Sequence, residues 1–477
     1  MAPHTFLWHD YETFGVQPRR DRPAQFAAIR TDAELNEIGD PLMLYCQPAQ
    51  DYLPDPQACL ITGITPQFCL AHGVPEYKFA ETIEQAFSKP GTIGVGYNTI
   101  RFDDEVTRFM FWRNLIDPYA REWQNNCGRW DILDMVRTAH ALRPEGIEWP
   151  KQEDGRPSFK LERLAAANGL LHESAHDALS DVRATIALAR LIRQRQPKLF
   201  DFCMALHKKD RVSEEIGWPQ QQPFLHVTGM VPAERGCIAL VWPLAVHPTN
   251  RNELIVWDLA HDPALLDGLD ADTIRQRMFL KSDALPEGVA RLPIKTIHLN
   301  KSPIVIRNLK ILSPEMAQRW GIDLDQALRF ADDARARPVA DAIWQQVFHR
   351  PVEAPCDIDE DLYGGFVGNG DRRILTRLRT LPADKLAKAD AAFDDMRLEE
   401  LVFRYRARNF PETLDDADRE RWNQQRAARL FDGEAKARTV DALFNEIDDL
   451  SEELDERGEQ ILGALYDYAE MIAPERK

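Results

Sequence analysis

From residue 1 to about 197, short apolar runs alternate with segments whose apolar residues recur every three or four positions. That alternation of strand-like and helix-like patterns is the signature of an α/β domain. The run from Thr5 to Gly15 reads as a strand, and Gln25–Arg30 and Leu42–Cys46, both bounded by turn residues, predict a three-stranded antiparallel start. Thr65 and Pro66 supply an N-cap and a first-turn proline for a short helix ending near Gly73. Phe79, Ile83 and Phe87 predict a second helix, and Thr92–Asn98 another buried strand. A helix carrying Val106, Phe109, Met110 and Arg113 comes next, then helices over Asp131–Leu142 and Ser158–Asn168, the latter with Ser158 as cap and Gly169 as stop. The last helix of the domain spans Asp177–Gln194, its apolar side made by Val182, Ile186, Ala189 and Ile192, and Pro197 closes it.

The pattern then changes. Residues 198–350 hold short β-rich runs, Cys237–Val246, Leu254–Leu259 and Pro293–Leu299, predicting a small barrel-like β domain with helical insertions. His349–Asp357 reads as a linker, and residues 356–477 as nearly all helical. On the helix Met396–Asn409, Arg397, Arg404 and Arg408 form a stripe beside Leu398, Leu401, Val402 and Tyr405. Such a stripe is either a solvated face or the basic wall of a channel.

The first strand ends in two carboxylates, Asp10 and Glu12, which alternation places on one face. Two carboxylates aimed at one spot call for a positive charge between them, and Mg²⁺ or Mn²⁺, which prefer oxygen ligands, suit it. A second acidic group lies in Asn98-Thr-Ile-Arg-Phe-Asp103 and a third in His176-Asp-Ala-Leu-Ser-Asp181. A hydrolysis that needs an activated water in line with its leaving group and a means of holding the charge that develops can draw both from two metals about 4 Å apart. Five helical residues turn the chain by about 140°. His176 and Asp181 therefore do not share a helical face, which puts Asp181 on the last helix and His176 at its entrance, where a neutral imidazole can take a proton from the attacking water. How the four acids divide between two ions stays open. Asp104 and Glu105 extend the acidic run and are expected to favour the positive end of the helix they begin.

Composition adds limits. The 477 residues (54.7 kDa) exceed one ordinary core. The longest apolar run, Cys237–Val246, is far short of the ~20 residues a bilayer crossing needs. Neither a secretory signal nor a Cys-x-x-Cys pair is present among the seven cysteines, so a reducing cytoplasm is expected. The net charge of −18 as a total opposes nucleic acid, but residues 431–477 alone carry −9, leaving room for a local basic groove elsewhere.

The ordered set Asp-x-Glu, Asn-x-x-x-Phe-Asp and His-x-x-x-x-Asp resembles the DnaQ-like exonuclease superfamily of the DEDDh type. Further stretches, Asp10–Gly15, Asp21–Asp32, Ile61–Gln67, Arg101–Arg108, Ala141–Gly146 and, far away, Tyr405–Pro411, are similar to the bacterial exodeoxyribonuclease I family. The resemblance implies an α/β, RNase H-like exonuclease domain (1–197), an SH3-like β domain with helical insertions (198–350) and a helical C-terminal domain (356–477). It implies degradation of single-stranded DNA from the 3′ end to mononucleotides, with two Mg²⁺ ions held by Asp10, Glu12, Asp103 and Asp181. Arg108, Tyr119, Trp123, Arg137 and Lys160, with Glu12, match substrate-lining positions of that family. Arg and Lys suit phosphates, and Tyr and Trp suit either base stacking or core packing. Lys160 stands where Arg is expected and lacks the bidentate fork. The family further implies docking with the acidic, apolar C-terminal tail of single-stranded DNA-binding protein, and Arg143 matches one of the basic positions. A monomer in DNA repair and recombination is the expectation. The alternatives are an RNA exonuclease on the same fold and a non-catalytic single-strand-binding scaffold.

Overall fold

The computed structural model describes residues 4–170, 177–349, 356–451 and 454–475. In chain order the first elements are β1 (Thr5–Thr13), β2 (Pro23–Thr31), β3 (Leu42–Tyr45), α1 (Pro56–Thr62), α2 (Pro66–His72), α3 (Glu76–Phe87), β4 (Thr92–Gly96) and α4 (Asp103–Arg113). There follow β5 (Gly128–Asp131), α5 (Leu133–Leu142), α6 (Leu161–Ala167) and α7 (Ala178–Arg195). The chain divides into two compact units that cut across its order. One comprises residues 1–128, 173–183 and 354–477, the other 129–172 and 184–353.

In the first unit β1 pairs antiparallel with β2, β2 with β3, and β4 lies parallel to β1, so β1 is a central strand, as the three-stranded start predicts. β2 is buried almost throughout because helices cover it. Phe26, Phe79, Ile83, Phe87, Val106 and Met110 meet in the core between the sheet, α3 and α4. The helix Pro66–His72 is capped by Thr65, as expected, while α1, capped by Asp55 with Pro56 at its first position, repeats that signature at a place the periodicity does not reveal.

The C-terminal segment belongs to this unit, and no strand occurs in it among the described residues. Its helix Arg397–Asn409 buries Leu398, Leu401 and Tyr405 against Phe109, Trp112 and Leu115 of α4 and the turn after it. The hairpin of helices Val440–Leu450 and Glu456–Ile472 packs Leu443, Leu465 and Tyr468 onto Phe14, Tyr52 and Cys59.

The arginine stripe is not a solvent-facing wall. Arg404 pairs with Asp357 at 2.8 Å and Glu400 at 2.7 Å, Arg397 with Asp361 and Asp395, and Arg408 with Asp51 and Asp359. Arg22, 1 % exposed, joins the group by pairing with Asp359 at 3.0 Å, and Arg429 with Asp357 at 3.1 Å. A helix can place charges seven and eleven residues apart on a buried seam as readily as on a surface, provided each is paired. Burial alone would raise Asp51 and Asp359, but the surrounding arginines, Arg408 first, outweigh it and hold both carboxyls below the usual range.

The second unit holds a five-stranded antiparallel sheet in the order Ile304–Ile306, Phe224–Val227, Ile238–Val246, Glu253–Asp258 and Ile294–His298. Pro243 sits inside one strand where the register shifts between Pro243 and Ala245, the bulge that a residue without an N–H imposes. Two local expectations fail here. Asp131 ends β5 instead of starting a helix, and α6 begins at Leu161 after Lys160, with Ser158 buried and making no N-cap bond. Gly169 does stop the helix in the left-handed region, at φ 66°. No helix among the described residues is long and apolar enough to cross a membrane.

Candidate active site

β1 outruns its parallel neighbour. β4 pairs with it only from Thr5 to Trp8, so His9–Thr13 run on beyond the paired stretch. There Gly96 lets the chain pass close to β1, since a Cβ would lie 2.8 Å from the His9 carbonyl, and Asn98 turns it in the left-handed region at φ 65°. A single 3₁₀ turn, Thr99–Arg101, then delivers Asp103 as the first residue of α4.

The acids converge as alternation requires. Asp10 and Glu12 are half-buried while Tyr11 and Thr13 between and after them are buried. With Asp181, in the first turn of α7, they each offer one carboxylate oxygen within 4.8 Å of the others. Asp103 is fastened next to them, its Oδ1 accepting from the Tyr11 backbone N–H at 3.1 Å, between the two acids of β1. The Thr107 hydroxyl, 2.8 Å from the Asp103 carbonyl and 3.0 Å from the Tyr11 hydroxyl, braces the same turn.

Crowding shows in the protonation of these groups. Burial, then Asp103, Glu12 and Asp181, push Asp10 well above the carboxylate range. Burial, Asp181 and Asp177 raise Glu12 to about 7. Like charges so close cannot all ionise unless a cation lies among them, and an all-oxygen donor set fits a hard divalent ion. His9, next to Asp10, is no ligand: it is buried behind the sheet against Phe87, and burial lowers it to about 4.

The acidic run of α4 is more specific than a helix-end effect. Asp104 is buried and ion-paired with Arg121, and Glu105 accepts from Arg108 and Tyr363. Arg121 and Tyr363 come from short 3₁₀ turns, where no apolar periodicity marks them.

The residues expected to line the strand divide. Arg108 is buried, its guanidinium held by Glu122 at 2.8 Å and Glu105 at 2.7 Å, and stacked 5.1 Å from the Tyr119 ring. Tyr119 is half-buried and Trp123 is 63 % exposed. In the second unit, Arg137 pairs with Asp134 and lies over Phe159, Lys160 is exposed, and Arg143 donates to the Leu142 carbonyl beside it. His176 lies outside the described residues.

Comparison with known proteins gives three family matches along the chain: Exonuclease over residues 7–189, Exonuclease I SH3-like domain over 207–350, and Exonuclease I C-terminal domain over 356–472. Exodeoxyribonuclease I of Escherichia coli K12 is 46% identical over 472 residues, covering 98% of each chain. A crystal structure of E. coli exonuclease I in complex with a dA16 oligonucleotide superposes with a TM-score of 0.92 at 45% identity, covering 98% of this chain and all of that one. A crystal structure of SSB/exonuclease I in complex with an inhibitor gives 0.89 at 44% identity, over 98% of this chain and 100% of that one. With an exonuclease domain, an SH3-like domain and a C-terminal domain in that order, and an acidic cluster at the end of its first strand, the chain belongs to the exodeoxyribonuclease I family of exonucleases.

Proposed function

We propose that this protein is a Mg²⁺-dependent, processive 3′-to-5′ exonuclease that degrades single-stranded DNA to 5′-mononucleotides in DNA repair and recombination, acting as a monomer in the cytoplasm. The observation that carries the reading is the convergence of Asp10, Glu12 and Asp181 within one ligand span, with Asp103 tied to β1 between the first two. Two Mg²⁺ ions, or Mn²⁺, held by these four acids would supply Lewis-acid stabilisation of the charge developing at phosphorus. Everything else falls to the chain. The β1 backbone holds Asp10 and Glu12 in register, α4 and α7 bring Asp103 and Asp181 to them, and His176 accepts the proton of the attacking water at its ring nitrogen.

In this reading residues 1–197 are the exonuclease domain, 198–350 the SH3-like domain and 356–477 the helical domain. Trp123 and Tyr119 offer faces to bases, and Arg137 and Lys160 offer charge to phosphates. Arg108 acts through Tyr119 and Glu122, since its own guanidinium is already filled by protein partners. The relative solved together with SSB supports docking with single-stranded DNA-binding protein; in this reading that partner's acidic tail docks with Arg143 among its contacts. The test is digestion of end-labelled single strands of DNA and RNA by the purified chain, with Mg²⁺ and with chelator. Shortening of DNA from the 3′ end only when Mg²⁺ is present is expected. Equal digestion of RNA, or digestion in chelator, would overturn the reading.

A further inference from the structure

β2 carries one long amide among small and apolar neighbours. Gln25 lies between Ala24 and Phe26 and is 2% exposed. A buried amide is costly unless its donors find acceptors, so the partners it finds indicate what it does. In the antiparallel register Gln25 stands opposite Glu12 of β1 and Tyr45 of β3, while Ala27 stands opposite Asp10. Directly opposed residues share a face of the sheet. Gln25 is therefore the polar one of the two β2 residues set beside Asp10 and Glu12.

The Gln25 Nε2 lies 3.1 Å from the Tyr45 hydroxyl, 3.3 Å from the Met43 sulfur and 3.3 Å from Oδ1 of Asp177. A carboxylate accepts and does not donate, which turns the nitrogen end of the amide toward Asp177. Asp177 in turn opens α7, its carbonyl accepting from the backbone N–H of Ser180 at 2.8 Å and of Asp181 at 3.1 Å. Three links thus join Glu12 to Asp181 and leave both carboxylates free: the Glu12–Gln25 register pair, the Gln25 amide on Asp177, and the Asp177 carbonyl on the Asp181 N–H. All four residues belong to the first unit. Asp177 also stands close enough to Glu12 to help raise it. Repulsion between those two acids pushes the start of α7 away from β1, and a neutral donor opposes that push without adding a charge that would compete with a cation.

From this juxtaposition we infer that Gln25 is a positioning residue for the acidic site. By holding Asp177 it sets where the first turn of α7 presents Asp181 to Glu12. The inference rests on the reading of the chain as a Mg²⁺-dependent exonuclease and adds to it a residue that acts through another.

The test uses the full chain and end-labelled single-stranded DNA under single-turnover conditions, with Mg²⁺ varied. Gln25→Met keeps the length of the side chain and removes its N–H donors. Misplacing a reacting group by about 1 Å can cost roughly 10²-fold, so the rate at saturating Mg²⁺ should fall by about 10- to 100-fold. The Mg²⁺ concentration that gives half the maximal rate should rise, while strand affinity in chelator holds. Asp177→Ala, at a half-buried position, should reproduce both changes, and Asp177→Asn, which keeps the acceptor, should retain most of the rate. Both single changes remove the same bond, so Gln25→Met with Asp177→Ala should be no slower than the slower of the two alone. A purely structural amide would lower the melting temperature and leave the half-saturating Mg²⁺ concentration in place. That result, losses that multiply in the double variant, or Asp177→Asn as slow as Asp177→Ala would overturn the inference. An unaltered chain that cuts no single-stranded DNA at any Mg²⁺ concentration would instead overturn the proposed function, so the two failures are distinct.

Discussion

Arg408→Gln separates two physical roles for the arginine stripe of the helix Arg397–Asn409. Arg408 donates to Asp51 at 2.7 and 3.1 Å and to Asp359 at 2.5 and 2.9 Å, with both carboxylates buried. Breaking one side of a buried pair leaves an uncompensated charge and costs about 3–5 kcal/mol. Here compensation is partial, because Asp359 keeps Arg22 at 3.0 Å and Arg404 at 3.7 Å, and Asp51 keeps Arg429 at 3.6 Å. The loss should therefore fall near the low end, about 3 kcal/mol. At a urea dependence of about 3 kcal/mol per molar, that is a midpoint roughly 1 M lower. Tryptophan fluorescence in urea reads it, since Trp112 donates to the Ile358 carbonyl on the same seam at 2.7 Å. The salt dependence of DNA binding should stay unchanged, whereas loss of a phosphate contact would lower its slope by about 0.7. An unshifted midpoint with a reduced slope would refute the buried-lock reasoning.

Asp10→Ala and Asp181→Ala should each lower turnover by several orders of magnitude while strand affinity in chelator holds, measured by single-turnover digestion and fluorescence anisotropy. His176→Ala should slow the chemical step by roughly 10² to 10⁴, and an unchanged single-turnover rate would remove it from the reaction. Asp51 and Asp359 have folded-state pKa values below their unfolded values, so their stabilisation is present above about pH 4 and is lost as pH falls through the folded values. Acid unfolding followed by circular dichroism should thus begin only below about pH 4, and Arg408→Gln should move its onset upward. A fragment of residues 1–197 should aggregate instead of folding, since Phe109, Trp112 and Leu115 would lose Leu398, Leu401 and Tyr405; a cooperative melt of the fragment would contradict this.

The parts legible in the sequence were those set by local repetition. Alternation placed Asp10 and Glu12 on one face, and the spacing of Phe79, Ile83 and Phe87 gave α3. Long-range pairing was not legible. Nothing near Arg404 or Arg408 announces Asp357, Asp359 or Asp51, and one stripe of charges looks the same on a solvated face and on a buried seam. Short elements were also hidden. β5 has four residues, two of them charged, and α1 has seven without a full apolar period. The neighbours Asp104 and Glu105 looked interchangeable because their different partners, Arg121 and Tyr363, are 17 and 258 residues away.

The central position of β1 makes its length a fixed quantity. One added residue between Phe6 and Asp10 would turn both acids to the opposite face of the sheet. Two would restore the face but carry the acids about 7 Å along the strand, outside the 4.8 Å span that includes Asp181. Pairing with β4 from Thr5 to Trp8, and with β2 without a slip as far as Glu12, leaves no room to absorb the difference as a bulge before Glu12. Insertions and deletions should therefore be lethal to activity from Phe6 to Glu12 and become tolerable only in the exposed turn around Val16 and Gln17, so a library of single-codon indels would map the edge of the site without any substrate bound.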